Sequence, residues 1–254
     1  MLVYIADGSS APNPFEGMII EPRGAQPQDD IYTFARYGAG YIEKHYTDFV
    51  ASTDGLGRIR TASNVIFNPS GQSQLGDGSK LTLFDIANVL QGGLDYVQLG
   101  KISPSTAGGL SVFFATGQPM NAGTIPTTGS ARFDGGTRGT YINGAGTAYE
   151  TSSDITMTAD FGAGQVSGST SNFKMIDANG AVATPSHSLN FDFSGNIVST
   201  SIVGTATGSH MTGEITGMFH GERNGPPVEA SVIYRLDETG GGGVLIGAGG
   251  LRKP

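Results

Sequence analysis

The sequence contains no cysteine and no tryptophan, and it is poor in charged residues. The lack of cysteine excludes disulfides, zinc–thiolate sites and a thiol nucleophile. Charged residues make up 14% of the 254 residues, against a usual share of about 25%. Lys and Arg together number 14 and Asp and Glu number 22, which gives a net charge of -8. This acidic balance argues against a nucleic-acid partner, because such a partner needs clustered Lys and Arg.

Long apolar runs are also missing. The apolar run near the start extends only from Leu2 to Ala6, whereas the core of a signal peptide needs ~7–15 residues. No later segment approaches the ~18 apolar residues of a transmembrane helix. We therefore expect a soluble chain without a membrane span. It is either cytosolic or the mature part of an exported protein.

Glycine, in contrast, is abundant, with 41 residues that follow no every-third-residue repeat. From residue 94 to 254, short stretches alternate between apolar and polar residues, and Asn-Gly and similar pairs separate them. One such stretch is DITMTADF, in which Ile155, Met157, Ala159 and Phe161 share a face. About eight strands at this spacing predict an antiparallel sandwich or barrel. Glycines inside these strands favour a barrel, because a closed sheet must bend.

Residues 1–93 have a different character, with aromatic-rich stretches and one candidate helix. In the segment SKLTLFDIANVLQGG, apolar residues recur at helical spacing and Gly92 stands where a helix C-terminal cap belongs. The apolar positions concerned are Leu83, Ile86, Ala87 and Leu90. The sequence therefore predicts a smaller mixed α+β domain over residues 1–93 and a β domain over residues 94–254.

Four segments of the β part, taken in order, resemble the barrel domain of the transferrin-binding protein B family. They are YVQLGKI, TIPTTGSARFDGGTRGTY, ITMTADFGAGQVSGSTSNF and GEITGMFHGERNGPPVEASVIYRL, the last followed by GGGGVLIGAGGLRKP. The resemblance covers roughly residues 94–254. It departs from the family pattern in the GERNGPPVEASV turn, which keeps Glu229 but lacks the Gly pair after it. The chain also has no lipobox cysteine.

The resemblance implies a mainly β protein, in which an eight-stranded antiparallel β-barrel follows a handle-like domain. Members of this family are type XI-exported surface lipoproteins and haemophores of Gram-negative bacteria, and none is catalytic. The expected protein is displayed at the cell surface or secreted, and it captures haem or an iron-carrying host protein. An outer-membrane receptor or exporter is a further expected partner. The alternative is a surface adhesin or structural protein without a small ligand. An enzyme ranks last, because no catalytic constellation is visible.

Histidine is the usual haem ligand, so the four histidines His45, His187, His210 and His220 are the candidates for axial ligation. His45 ranks first because Tyr41 and Tyr46 beside it offer flat apolar surfaces. The next candidate ligand is His220, which lies in the Gly-x-Phe-x-Gly hairpin. For each, the alternative is an ordinary surface or hydrogen-bonded histidine.

No two histidines are close enough in sequence to form a metal pair by themselves, so we expect no metal site. The pair Asp237-Glu238 precedes a glycine run and is expected to be a solvated turn.

Overall fold

The structure is a computed structural model. It describes residues 78, 80–84, 86, 93–103 and 111–254 with their side chains, and the strands before residue 78 by their backbone. Its described strands form two antiparallel sheets, one of eight and one of nine strands.

The first sheet contains the eight strands that come first in the chain. Their spatial order is β1-β8-β7-β6-β5-β4-β3-β2, so that consecutive strands are neighbours from β2 to β8 and β1 lies outside β8. The strands are β1 (Tyr4–Ala6), β2 (Gly17–Glu21), β3 (Ile31–Arg36), β4 (Ile42–Asp54), β5 (Gly57–Phe67), β6 (Ser73–Phe84), β7 (Val97–Ser103) and β8 (Val112–Gly117).

The second sheet closes on itself as an eight-stranded antiparallel barrel. Closure follows from the pairing, because β9 pairs with both β10 and β17 while β10 also pairs with β11. The two-residue strand β12 (Val182–Ala183) only extends β11. The barrel strands are β9 (Ser130–Ile142), β10 (Ala148–Asp160), β11 (Gln165–Ile176), β13 (Phe191–Val198), β14 (Ser201–Gly208), β15 (Met211–His220), β16 (Glu229–Glu238) and β17 (Val244–Arg252). The predicted barrel is confirmed.

Apolar side chains from alternate positions fill the barrel interior. The predicted face of β10 is confirmed, since Ile155, Met157 and Ala159 are all buried in one core cluster. Aromatic rings from several strands meet there, and the Phe219 ring centroid lies 5.7 Å from that of Phe133 and 5.8 Å from that of Phe161. The interior is therefore a packed core, as small barrels of eight strands usually are.

Inward-facing glycines allow the strands to bend tightly around this core. Gly195 and Gly204 face each other across β13 and β14, and a Cβ atom on either would come within 2.8 Å of the other's Cα atom. On β11, the ring of Phe193 occupies the space where a side chain of Gly168 would lie. The sequence-based interpretation of strand glycines as bending points agrees with these contacts.

One side of the barrel's outer surface is covered by the first sheet. Ile233, Ile246 and Ala248 point outward from β16 and β17, yet they are buried against a cluster of apolar residues from the first sheet and its flanking segments. The covering residues are Phe84, Ile86, Leu94, Val97, Leu99, Phe113 and Ala115. Strand β16 is therefore apolar on both faces, because one face lines the barrel core and the other lies between the two sheets.

A buried carboxylate connects the start of β7 to the barrel. Glu229 is 1% exposed. Its Oε1 and Oε2 atoms accept hydrogen bonds of 2.8 Å from the backbone N–H groups of Asp95 and Tyr96. The guanidinium of Arg252 donates to Oε1 at 2.8 Å and also to Asp95 Oδ2 at 2.7 Å. The hydrogen bond to Glu229 raises the pKa of Arg252, so this cation stays charged beside the buried anion.

The helix expected in the N-terminal part is not supported. Its first residues, up to Phe84, belong to β6, where Leu81 and Leu83 are buried and pair with Ile102 and Gly100 of β7. Short apolar runs fit either period, and here pairing with two neighbouring strands overrides the helical spacing. Ala87 and Leu90 lie outside the described residues. The handle is thus a β-sheet over its described residues, rather than a mixed α+β domain.

The domain boundary expected at residue 93 stays a prediction. The change from one sheet to the other comes later in the chain, between β8 and β9. Among the residues that the structure describes, no helix has both the length and the apolar character needed to cross a membrane.

Because the Glu229 carboxylate is buried and fully hydrogen-bonded, we expect the protein to lose stability when the negative charge of this side chain is removed. In Glu229→Gln, an amide NH₂ group replaces one acceptor and faces backbone donors and a guanidinium. We expect the free energy of unfolding to fall by about 2 kcal/mol, measured by urea denaturation. Glu222→Gln, at an exposed position nearby, is the matched control and should stay within about 0.5 kcal/mol of the parent. Equal stability of the two variants would contradict this role of Glu229.

The glycine contacts give a second prediction. A Cβ atom at Gly213 would overlap the carbonyl oxygen of Arg235 on β16, so Gly213→Ala should lower the free energy of unfolding by about 1–3 kcal/mol. The control is Gly123→Ala, because a Cβ atom there meets nothing closer than 3.6 Å. Thermal and urea unfolding of both variants measure the difference. A Gly213→Ala variant as stable as the control would show that the barrel does not need this close approach.

Candidate functional site

The antiparallel barrel has two ends with different chemistry. At one end lie the connections 143–147, 177–190, 209–210 and 239–243, and we call this end the mouth. At the other end lie the connections 161–164, 199–200 and 221–228, together with Glu229 and Arg252. The two ends of β16 illustrate the separation, since Glu229 begins the strand and Glu238 ends it.

Five side chains meet at the mouth, and we call them the mouth cluster. Two tyrosines come from the ends of β9 and β10, one glutamate comes from the end of β16, and two histidines come from connecting segments. They are Tyr141, Tyr149, His187, His210 and Glu238. The Tyr141 and Tyr149 rings stack with centroids 6.4 Å apart, and the His187 ring meets Tyr141 edge-on at 6.2 Å.

Glu238 organises the mouth cluster. Its Oε1 atom lies 3.2 Å from His187 Nδ1 and accepts a 3.3 Å hydrogen bond from the Tyr141 hydroxyl. Its Oε2 atom accepts a 3.1 Å hydrogen bond from the backbone N–H of Gly243. Burial and the neighbouring carboxylate raise the pKa of Tyr141, so its hydroxyl keeps its proton and donates it to Glu238.

The position of Glu238 differs from the solvated turn expected from the sequence. Its side chain is only 13% exposed, whereas Asp237 next to it points outward and pairs with Arg235. His187 lies 51 residues before Glu238 in the chain, and only closure of the barrel brings the two side chains together. The signal in the sequence is that Tyr141 and Glu238 each come two residues before a glycine-containing turn, at 143–144 and 240–243.

His220, a predicted ligand residue, is buried between the barrel and the segment that follows β8. Its Nε2 atom lies 2.8 Å from Ser231 Oγ, and its Nδ1 atom lies 3.3 Å from the Gln118 carbonyl oxygen. Since a carbonyl only accepts, Nδ1 carries the hydrogen and Nε2 accepts from the serine hydroxyl. Burial lowers the pKa of His220 to about 4, against a smaller opposite effect of the Gln118 bond. Both ring nitrogens thus have protein partners, and haem ligation by His220 stays a prediction.

Of the other three predicted site residues, His45 and Tyr46 belong to β4 of the first sheet. His45 pairs with Thr33 and Val65 in the strand register, and Tyr46 pairs with Tyr32 and Asn64. Their side chains, and the whole of Tyr41, lie outside the described residues. Ligation by His45 with stacking by the two tyrosines therefore stays a prediction.

The buried His220 predicts a pH-dependent contribution to stability. The unfolded chain takes up a proton with a pKa near 6.5, whereas the folded chain does so only near 4. The free energy of unfolding therefore has its full value above about pH 6.5. Because the unfolded chain binds the proton more readily, this free energy falls by about 3 kcal/mol in all as the pH falls towards 4. Replacing His220 with Gln should make the free energy of unfolding fall less steeply over this interval.

Urea denaturation at several pH values between 7 and 4.5 measures this slope. Ser231→Ala is the control, because it removes the partner of Nε2 but keeps the imidazole, and so it should keep the steep fall. Parallel curves for the His220→Gln variant and the parent would contradict the assignment of a buried neutral histidine.

Comparisons with known proteins find similarity only between this chain's structure and solved structures. No family model matches the chain, and no curated protein matches it. Among solved structures, isotype 1 transferrin binding protein B from serogroup B Neisseria meningitidis matches with 15% identity and a TM-score of 0.48, covering 96% of this chain and 55% of that chain. A variant of transferrin binding protein B from Haemophilus parasuis Hp5 matches with 13% identity and a TM-score of 0.46, covering 93% of this chain and 53% of that chain.

The haemoglobin receptor HpuA from Kingella denitrificans, in its apo form, matches with 15% identity and a TM-score of 0.47, covering 98% of this chain and 89% of that chain. The chain spans about half the length of the transferrin binding proteins that it matches. Transferrin binding proteins, the family that the sequence segments resemble, are therefore among the solved structures similar to this chain, with TM-scores below 0.5.

Proposed function

We propose that this protein is a non-catalytic binding protein, displayed at the surface of a Gram-negative bacterium or secreted by it, which captures an iron-carrying host protein. The class of partner comes from the family that the four sequence segments resemble. Haem itself is the second candidate ligand, through His45 and Tyr46 of the first sheet and Tyr41, which precedes them in the sequence. An outer-membrane receptor or exporter is the corresponding bacterial partner.

The packed barrel interior is the observation that carries this proposal. Small-molecule carriers of barrel fold hold their ligand in a cavity, but here side chains such as Phe133, Phe191 and Tyr234 occupy the axis and are nearly inaccessible. A ligand must therefore bind outside the barrel. Outer surfaces and loop ends fit a macromolecular partner better than a small ligand that needs to be enclosed.

The mouth offers the side chains that protein interfaces favour. Tyrosine is enriched at the centres of interfaces, because its ring contributes apolar area and its hydroxyl still bonds to polar groups. Tyr149 and His210 are partly or largely exposed there, while Tyr141 and His187 support them from below. By contrast, the outward face of β11, β13 and β14 presents Ser167, Ser194 and Thr205, which are small polar residues that rarely dominate binding energy.

The test is a binding measurement on the intact protein with two named probes, host haemoglobin and iron-loaded transferrin. We expect saturable binding of one of them. Tyr149→Ala and His210→Ala should each weaken that binding at least tenfold if these residues lie at the centre of the interface. Ser194→Ala and Thr205→Ala on the outward face are the matched controls and should leave it unchanged. Circular dichroism checks that every variant is folded.

A haemin titration followed at the Soret band tests haem, the second candidate ligand, separately from the protein partners. A saturable, red-shifted band that is lost in His45→Ala would assign haem capture to the first sheet. His220→Ala tests the other predicted ligand in the same titration. Absence of binding to haemin and to both proteins, together with self-association or adhesion to cells, would overturn the proposal in favour of the adhesin alternative.

A further inference from the structure

The rings of the two histidines of the mouth cluster face each other, an arrangement that the protein contact proposed for His210 does not require. In His187, Nδ1 lies 3.2 Å from Glu238 Oε1 and 3.2 Å from Ser186 Oγ. A carboxylate can only accept, so it favours the tautomer with hydrogen on Nδ1. Nε2 then carries a lone pair. In the structure, His187 Nε2 is buried and has no hydrogen-bond partner.

An unsatisfied buried acceptor costs free energy, so a native structure normally gives it a partner. The side chain of His187 is 10% exposed, and its nearest ring neighbour is His210, whose ring centroid lies 5.0 Å away at an interplanar angle of 57°. His210 follows Gly208 and Ser209 at the turn before β15 and is exposed. It therefore has the freedom to rotate and admit an ion between the two rings.

The separation of the rings fits one shared metal ion. Imidazole nitrogens bind zinc at about 2.0–2.1 Å, and two imidazoles on one tetrahedral ion therefore have ring centroids about 5 Å apart. The observed 5.0 Å agrees with this value. Rings packed without a metal also lie about 4.5–7 Å apart, so the buried Nε2 atom of His187, which has no hydrogen-bond partner, is the observation that distinguishes a metal pair from packing.

Glu238 supplies the support that metal-binding histidines usually have. Such a histidine commonly presents its other nitrogen to a carboxylate, which sets the tautomer and makes the ligating nitrogen more basic. Glu238 is itself held in place by Gly243 N–H and the Tyr141 hydroxyl. It is therefore a positioning residue, and the two ligands would be His187 and His210.

We propose that His187 and His210 together bind one divalent transition-metal ion of the Cu²⁺ or Zn²⁺ type at the mouth. Imidazole suits both ions, and Cu²⁺ binds the tighter of the two at a given site. Within the described residues, no group of three or more His, Cys, Asp or Glu has a geometry that could hold a metal. The site thus has two protein ligands, and water or a donor from a bound protein completes it. The proposal does not depend on the proposed function, because the protein alone binds the ion.

The test uses untagged, metal-free protein titrated with Cu²⁺ and followed by electron paramagnetic resonance and calorimetry. We expect one ion per chain with hyperfine splitting from two imidazole nitrogens. Zn²⁺ should compete for the same site. Either His187→Ala or His210→Ala should reduce the spectrum to one imidazole nitrogen and weaken binding at least tenfold. Since His210 is exposed, its variant should fold like the parent, which keeps the test decisive even if His187→Ala is unstable.

Two further variants separate ligation from structure. Glu238→Gln should keep both nitrogens in the spectrum while lowering the affinity by about 10–100-fold, as substitutions of such supporting residues do. Asp237→Asn, at the outward-pointing carboxylate next to Glu238, is the control for copper bound elsewhere and should leave the copper spectrum and affinity unaltered. Unaltered copper affinity in the double variant His187→Ala/His210→Ala, or a spectrum without imidazole nitrogens, would overturn the proposal. Failure of haemoglobin and transferrin binding would leave these spectra unaffected, so the two proposals fail separately.

Discussion

The buried carboxylate of Glu229 is the constraint on which the arrangement of the two sheets depends. Removing a carboxylate from water costs several kcal/mol unless its oxygens are fully bonded. Here the Asp95 and Tyr96 N–H groups and the Arg252 guanidinium provide those bonds. Because these donors come from the segment before β7 and from the last barrel strand, the carboxylate is satisfied only when the first sheet lies against the barrel.

This contact explains why β16 and β17 are apolar on the outside of the barrel. Once the start of β7 is held at Glu229, β7 and β8 lie over β16 and β17, and Ile233 and Ile246 become interior residues. Lys101 of β7 pairs with Glu150 of β10 on the same side, which ties the two sheets together a second time. The outward face of β13 and β14, which the first sheet does not cover, keeps small polar side chains such as Ser194 and Thr205. The difference between the two faces thus follows from what covers them, and both lie on the same packed core.

Local patterns predict antiparallel strands in a sandwich or a barrel, and the family resemblance selects the eight-stranded barrel, but neither predicts the mouth cluster. Alternation identified the inner face of β10 because a strand with one buried face has a period of two. The same rule fails for β6, where Leu81, Leu83 and Phe84 are buried on both faces and mimic a helical spacing. The contact between His187 and Glu238 depends on barrel closure, which no local pattern encodes. His220 is a second case, because the sequence places it in a hairpin but does not predict its burial under the segment after β8.

The two polar sites of the barrel are physically independent of each other. Glu229 and Glu238 are the two ends of β16, and its ten residues extend about 30 Å at the usual rise per residue. Charges that far apart are screened from each other, because the Debye length is about 8 Å at physiological ionic strength. Protonation, metal binding or protein binding at the mouth therefore has no direct electrostatic effect on the Glu229–Arg252 pair. Any coupling would have to pass through the aromatic core between them, which is close-packed and resists small displacements. The barrel thus separates the end that holds the Glu229–Arg252 contact from the end whose histidines and tyrosines are available for binding.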